Sequence, residues 1–145
     1  SNHNIIEAIA EGVVSGSLNE ILETKINRLA VFRPKLSSGE KLGALNTVHS
    51  YLGNQYDFTF DFNDAETQVC TEVIYRGFND VGPLHFNLKK RAGMLNLSAE
   101  DVCRYAIKSG TMELVTLIVE DEYRKGKPRF VSSKIGVEII LGLMK

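Results

Sequence analysis

The residue of this chain that is best placed for chemistry is Cys70. It stands at the start of a segment, 69–78, whose apolar spacing predicts a helix, and the polar residues Glu66, Thr67 and Gln68 come just before this segment. A thiol at a helix start lies at the positive end of the helix dipole and beside free backbone amides, and both features favour the reactive thiolate. The position therefore makes Cys70 a candidate nucleophile. A small buried side chain is the alternative interpretation, because free cysteines are commonly buried.

Thr71, the residue after Cys70, bears on the same chemistry. It is small and polar, and a helix start can present a backbone N–H toward the oxyanion that forms when a thiolate attacks a carbonyl. Thr71 is therefore a candidate substrate-binding residue.

The elements that must position Cys70 follow from capping signals and apolar periodicity. Ser17 and Ser37 are each followed three residues later by glutamate, which is the capping-box spacing and predicts two helix starts, and Ser98 predicts a third. Apolar and alternating runs predict strands at residues 5–8, 12–14, 29–32, 56–62, 114–119 and 130–131. The chain is therefore expected to be α+β, with helices packed on an antiparallel sheet of about four to six strands.

Two further apolar patterns predict buried surfaces. Leu42, Leu45, Val48 and Leu52 fall at near-helical spacing and predict the buried face of the second helix. The apolar stretch 135–144 is only ten residues long, which indicates a core helix or strand and not a membrane anchor.

Composition and charge narrow the class of protein. At 145 residues, of which 43% are hydrophobic, the chain is long enough to fold as one domain, residues 1–145, without a disulfide or a metal. Its 17 basic and 18 acidic residues are mixed along the sequence, so no nucleic-acid surface is predicted. The two cysteines and three histidines lack zinc spacing, and neither a metal nor a cofactor is expected. No apolar run reaches the roughly 18 residues of a membrane-spanning helix.

Five segments of the chain, in order and spacing, carry a family signature. The two most specific are G-N-Q-Y-D-F-T-F at 53–60 and V-C-T-E-V-I-Y at 69–75. The others are I-I-E-A with E-G-V at 5–13, L-A-V-F-R-P at 29–34 and L-S-A-E-D-V at 97–102. Together they resemble the YiiX/YaeF-like family, the permuted branch of the NlpC-type, papain-like superfamily, whose patterns are G-x-x-Y-D-x-x-F and C-[ST]-E-[LV]-[VI]-[YW]. The resemblance implies a circularly permuted papain-like (NlpC-type) fold.

The resemblance also implies roles for individual residues. In the family the catalytic cysteine follows the catalytic histidine along the chain, and it corresponds to Cys70. The third polar residue corresponds to Glu7, which would orient the imidazole; a partly exposed strand residue is the alternative. Tyr56 and Asp57 correspond to the family's Tyr-Asp near the cleft and would bind substrate, while a core aromatic residue and a turn-capping aspartate are equally good interpretations.

The catalytic histidine of the family has no counterpart here. The family places it in an S-H-V-G-like strand just before the I-E-A strand, and the sequence before residue 5 contains no such segment. His3 has the wrong sequence context, His49 falls on the polar side of its predicted helix, and His85 follows a Gly-Pro break in a predicted loop. We therefore expect the histidine strand to be missing from the N-terminus of this sequence. The alternative is a degenerate member that has lost its histidine.

Two functions follow from these expectations. The first is a cysteine-nucleophile hydrolase (an amidase, peptidase or acyl-ester hydrolase) that forms an acyl-thioester on cell-wall peptide or acyl-lipid substrates. The second is a non-catalytic member of the same fold that binds a peptide or a lipid. A histidine supplied from outside this segment would favour the first. The family is common in bacteria.

Overall fold

The computed structural model describes residues 4–24, 28–60, 62–63, 66–120 and 128–143. In these residues helices and strands are mixed along the chain, which confirms the predicted α+β class. The helices are α1 (Leu18–Glu23), α2 (Ser38–Ser50), α3 (Cys70–Phe78), α4 (Ala99–Lys108) and α5 (Ser133–Leu143). The strands are β1 (Asn4–Ile9), β2 (Gly12–Ser17), β3 (Arg28–Pro34), β4 (Gln55–Tyr56), β5 (Thr67–Gln68), β6 (Lys89–Arg91), β7 (Met94–Asn96), β8 (Met112–Glu120) and β9 (Pro128–Val131).

The strands form several small sheets and not one antiparallel sheet of four to six strands. β1–β2 and β6–β7 are antiparallel hairpins, and β3, β8 and β9 form a three-stranded antiparallel sheet with β8 in the centre. β4 and β5 pair in parallel. The predicted sheet is therefore wrong for the described residues. The physical reason is local burial: the β1–β2 hairpin packs on α2 and α3, whereas the three-stranded sheet packs on α4 and α5.

The aromatic segment 56–62 is not a strand, although its residues alternate. Only Tyr56 belongs to a strand, β4, and the chain turns directly after it. The Asp57 carboxylate accepts hydrogen bonds from the amide (2.7 Å) and the hydroxyl (2.6 Å) of Thr59. Phe60 has a φ of +58°, a left-handed conformation that strands do not contain. This local turn overrides the alternating pattern.

α2 and α3 pack against each other through small residues. Ala44 and Val48 are the buried residues of α2, and a Cβ at Gly77 of α3 would come within 2.4 Å of Val48 Cγ2. Leu42 and Leu45 are exposed, so the predicted buried face of α2 is wrong apart from Val48. The reason is that α2 approaches α3 at Gly77, which has no side chain, and at this short distance only small side chains of α2 fit.

The β1–β2 hairpin lies beside the start of α3. Ala8 and Val13 pair across the hairpin and pack in one core cluster with Val73 of α3. The Val13 N–H also donates to the Asn54 carbonyl (2.9 Å), just before β4. Gly12 has a φ of +114°, and a Cβ there would come within 2.5 Å of the Asn54 oxygen, so this junction requires glycine. The hairpin is thereby fixed against the segment that leads to Cys70.

α5 and α4 cover the three-stranded sheet. Leu114 and Leu117 of β8, Val131 of β9 and Ile140 of α5 share one buried cluster. The apolar stretch that begins at residue 135 is therefore a core helix, one of the two predicted alternatives. Among the described residues, no helix combines the length and the apolar character needed to cross a membrane.

Asp101, in the first turn of α4, is a buried acidic residue that joins this helix to the β6–β7 hairpin. Its carboxylate accepts hydrogen bonds from the Lys89 ammonium (2.5 Å), the Arg91 guanidinium (2.5 Å) and the Ser98 hydroxyl (2.8 Å). Burial alone would raise the pKa of Asp101, but the hydrogen bonds from Lys89, Ser98 and Arg91 outweigh burial and hold this pKa well below its usual range.

The depressed pKa of Asp101 predicts a loss of stability in acid. A carboxyl group whose pKa is lower in the folded than in the unfolded state stabilises the fold at pH values above its unfolded pKa, here 3.8. This stabilisation is lost as the pH falls toward the lower folded pKa. We expect Asp101→Asn to lower the free energy of unfolding at neutral pH by about 2 kcal/mol, a modest value because Lys89 and Arg91 are partly solvent-screened. Urea titrations at a series of pH values should show a steeper loss in acid for the wild type than for the variant. Equal slopes would contradict this account of Asp101.

Candidate functional site

Cys70 is the first residue of α3, and it is exposed. Val69 is the N-cap, and its carbonyl accepts hydrogen bonds from the amides of Glu72 (3.0 Å) and Val73 (3.0 Å). The amides of Cys70 and Thr71 come before these two and have no acceptor within the helix. The start of α3 therefore combines an accessible thiol with two amides at the positive end of the helix dipole.

Thr71 is buried, with 8% of its surface exposed. A substrate therefore does not reach the Thr71 side chain in this arrangement, and contact with Thr71 would use its backbone amide.

Glu72, two residues after Cys70, holds the start of α3 and is completely buried (0% exposed). One carboxylate oxygen, Oε1, accepts hydrogen bonds from Arg76 Nε (2.9 Å) and Nη2 (2.6 Å), and the other accepts a long hydrogen bond from the Val69 amide (3.4 Å). Burial raises the pKa of Glu72, while Arg76 and the Val69 amide oppose that shift. Arg76 Nη2 also donates to the Phe62 carbonyl (3.0 Å), so this ion pair ties the helix to the preceding loop.

Glu72 and Arg76 have no predicted role, although two signals for them are present in the sequence. Glu72 belongs to the C-T-E segment, and its four-residue spacing from Arg76 is that of a helical ion pair. That the pair is buried and reaches the loop depends on packing that the spacing does not reveal.

Tyr56 is the last residue of β4 and Asp57 the first of the loop 57–66, which connects β4 to β5, the strand just before α3. Asp57 is buried, and its amide donates to the Gln68 carbonyl (3.2 Å) across the parallel strands. Its carboxylate caps the turn described above, which agrees with one of the two interpretations of its sequence position. Tyr56 is half-buried and packs against both neighbouring core clusters. Both residues thus support the segment that carries the thiol.

Two aromatic side chains of this loop are exposed. Phe58 is 71% exposed and Phe60 is 49% exposed. Both rings pack edge-on against Tyr56, at centroid distances of 5.0 Å and 6.4 Å. These two residues form an exposed apolar surface on the loop that precedes β5 and Cys70.

Glu7 is half-buried in β1. Strand alternation places it on the hairpin face opposite Ile6 and Ala8, which pack toward α3, and a Cβ at Gly16 would come within 2.9 Å of Glu7 Oε1. Within the part of the chain that the structure describes, no hydrogen bond joins Glu7 to Cys70.

The described histidines do not provide a base for the thiol. His49 is exposed on α2, and neither His49 nor His85 forms a hydrogen bond with Cys70. His85 instead binds Asp80, with 2.6 Å between Nδ1 and Oδ1, beyond the far end of α3. At a rise of about 1.5 Å per residue, that end of the helix is more than about 10 Å from Cys70. His3 lies outside the described residues.

Cys103 differs from Cys70 in its surroundings. It is half-buried in α4 and packs against the core of the three-stranded sheet. Burial raises the pKa of the Cys103 thiol, which disfavours its thiolate. The structure therefore contains two free thiols of different character, one exposed at a helix start and one in a core.

Comparison with known proteins identifies the family. The family model described as permuted papain-like amidase enzyme, YaeF/YiiX, C92 family, matches residues 1–123. No curated protein and no solved structure matches the chain significantly. The matched region contains the β1–β2 hairpin, the loop before α3 and Cys70 itself, so it covers the segments that carry the resemblance in the sequence. The chain belongs to the YaeF/YiiX family of permuted papain-like amidases.

Proposed function

We propose that this protein is a cysteine amidase in which Cys70 attacks the carbonyl carbon of an amide or an ester. The observation that carries the proposal is the exposed thiol at the first residue of α3, in a chain of an amidase family. The attack displaces the amine or the alcohol and leaves an acyl-thioester on Cys70, which water then hydrolyses. The amides of Cys70 and Thr71 stabilise the oxyanion of each tetrahedral intermediate.

In this proposal the thiol proton passes to a histidine that lies outside the described residues. Among the described strands β1 pairs only with β2, so its other edge is open to a further strand. In this proposal Glu7 of β1 orients the imidazole, although its side chain lies on the hairpin face opposite the residues that pack toward α3.

The proposed substrates are cell-wall peptides or acyl lipids. We propose that residues 1–145 form the single permuted papain-like domain that binds them. The exposed rings of Phe58 and Phe60 favour a substrate with an apolar acyl group or side chain, because such a group would cover them. Tyr56 supports these rings, and Asp57 fixes the loop that bears them.

Alkylation of the two cysteines tests the nucleophile. We expect iodoacetamide to modify Cys70 at least about ten-fold faster than Cys103 at neutral pH. The reason is that Cys70 is exposed at a helix start, whereas Cys103 is half-buried with a raised pKa. The measurement is peptide mass spectrometry of the full-length protein across a pH series.

Cys103 is the internal control, and the same reaction in urea should modify both thiols at similar rates. A Cys70 that is inert, or that reacts no faster than Cys103 in the folded protein, would favour the non-catalytic binding protein instead.

A further inference from the structure

A cavity away from Cys70 lies between α4 and the segment 86–89. Its volume is about 340 Å³. Phe86 and Leu97, both buried, and the ring of Tyr105, whose centroid lies 4.7 Å from that of Phe86, form an apolar floor. Small-molecule sites are concave, with an apolar lining and a few polar groups, and their volumes begin at about 300 Å³. This cavity has the dimensions and the floor of such a site.

The rim of the cavity is cationic. Lys89, Arg104 and Lys108 line it, against one carboxylate, that of Asp101. Asp101 already accepts hydrogen bonds from Lys89, Arg91 and Ser98, so its charge is compensated within the protein. The described lining residues therefore carry a net positive charge, which lies beside the apolar floor.

Arg104 and Lys108 are the two cations best placed to hold an anion. They stand four residues apart on α4, so they lie on the same side of the helix and repel each other, and an anion between them would relieve this repulsion. Arg104 donates to Glu100 through Nη2, and its guanidinium carries five N–H donors, so it can contact an anion without leaving its protein partners. Lys108 forms no ion pair with any described acidic residue.

We propose that this cavity binds a small amphiphilic anion: an aryl or short aliphatic body on the floor of Phe86, Leu97 and Tyr105, with a carboxylate or phosphate head held by Arg104 and Lys108. The site is separate from Cys70, because no described residue of α3 or of the loop before it lines the cavity. The proposal therefore does not depend on the proposed hydrolase activity.

Ligand titrations of the full-length protein, followed by backbone amide NMR, test this site. The probes are phenyl phosphate and hexanoate, which present the two head groups, and benzyl alcohol, which has an apolar body without a charge. We expect saturable shifts around residues 86–89 and 97–109 with at least one anion and weaker binding at high salt, since exposed charges are screened. The anion that binds more tightly identifies the head group.

Charge-removing variants complete the test. Arg104→Gln and Lys108→Gln should each weaken binding of the preferred anion by about ten-fold, the effect of one charged hydrogen bond. Lys134→Gln, which removes an exposed lysine from α5, should leave the affinity unchanged. Equal binding of benzyl alcohol, equal affinity in all three variants, or no saturation by either anion at millimolar concentration would overturn the proposal.

Discussion

Replacing Cys70 with serine is expected to abolish hydrolysis, lowering kcat/KM by about 10⁴-fold or more. The serine hydroxyl is a far weaker acid than the thiol, so the helix start does not ionise it, and the acyl-thioester cannot form. The side chain is exposed at position 70, so the substitution should leave the stability nearly unchanged. The measurement is the hydrolysis of p-nitrophenyl butyrate and of a peptide p-nitroanilide by the full-length protein, with urea titrations of both forms.

Cys103→Ser is the matched control for this substitution. It changes the same atoms in a residue that packs on the core of the three-stranded sheet, so it should lower stability slightly and leave kcat/KM within about two-fold. A Cys70→Ser protein that keeps its activity would place the nucleophile elsewhere. Activity that falls equally in both variants would point to a structural effect of cysteine replacement.

Replacing Glu72 with alanine is expected to lower the free energy of unfolding by about 3 kcal/mol or more. Glu72 is completely buried, and its removal takes away a carboxylate that binds the Arg76 guanidinium, itself only 21% exposed. The Val69 amide also loses its side-chain acceptor at the start of α3. Urea unfolding at neutral pH measures the effect, and Cys70 alkylation below the unfolding transition reports whether the helix start is displaced.

The chain contains a matched control for this effect. Glu100 and Arg104 form an ion pair with the same four-residue spacing on α4, but 56% and 36% of their side chains are exposed. Glu100→Ala should therefore cost no more than about 0.5 kcal/mol. Similar losses in the two variants would show that burial does not decide the strength of these pairs and would contradict the role given to Glu72.

Local signals predict the helices of this chain well. Ser17, Ser37 and Ser98 are N-caps whose side chains accept hydrogen bonds from the first turn, as their sequence spacing predicts. These caps are predictable because the groups that form them lie within three residues of one another. The same is true of Cys70, whose position at a helix start follows from the residues around it.

Capping residues and local apolar spacing do not predict how distant segments of the chain pack against each other. Leu42 and Leu45 match a helical apolar face, yet the face of α2 that is buried is the one that fits the bare backbone at Gly77, far along the chain. The alternation at 56–62 likewise predicts a strand, but the Asp57 turn decides the conformation. The burial of Glu72 depends on the packing of α3 against the loop between β4 and β5, and no residue spacing in the sequence predicts that packing.

The short parallel ladder between β4 and β5 has a consequence for how this fold can diversify. Two residue pairs, Gln55 with Thr67 and Tyr56 with Gln68, close the loop directly before the helix that begins at Cys70. Closing a flexible loop costs only about 0.6 kcal/mol more for each doubling of its length. Insertions after Phe62, beyond the contact with Arg76, would therefore change the surface offered to ligands while the thiol keeps its place. This loop can therefore change in length without displacing Cys70 from the start of its helix.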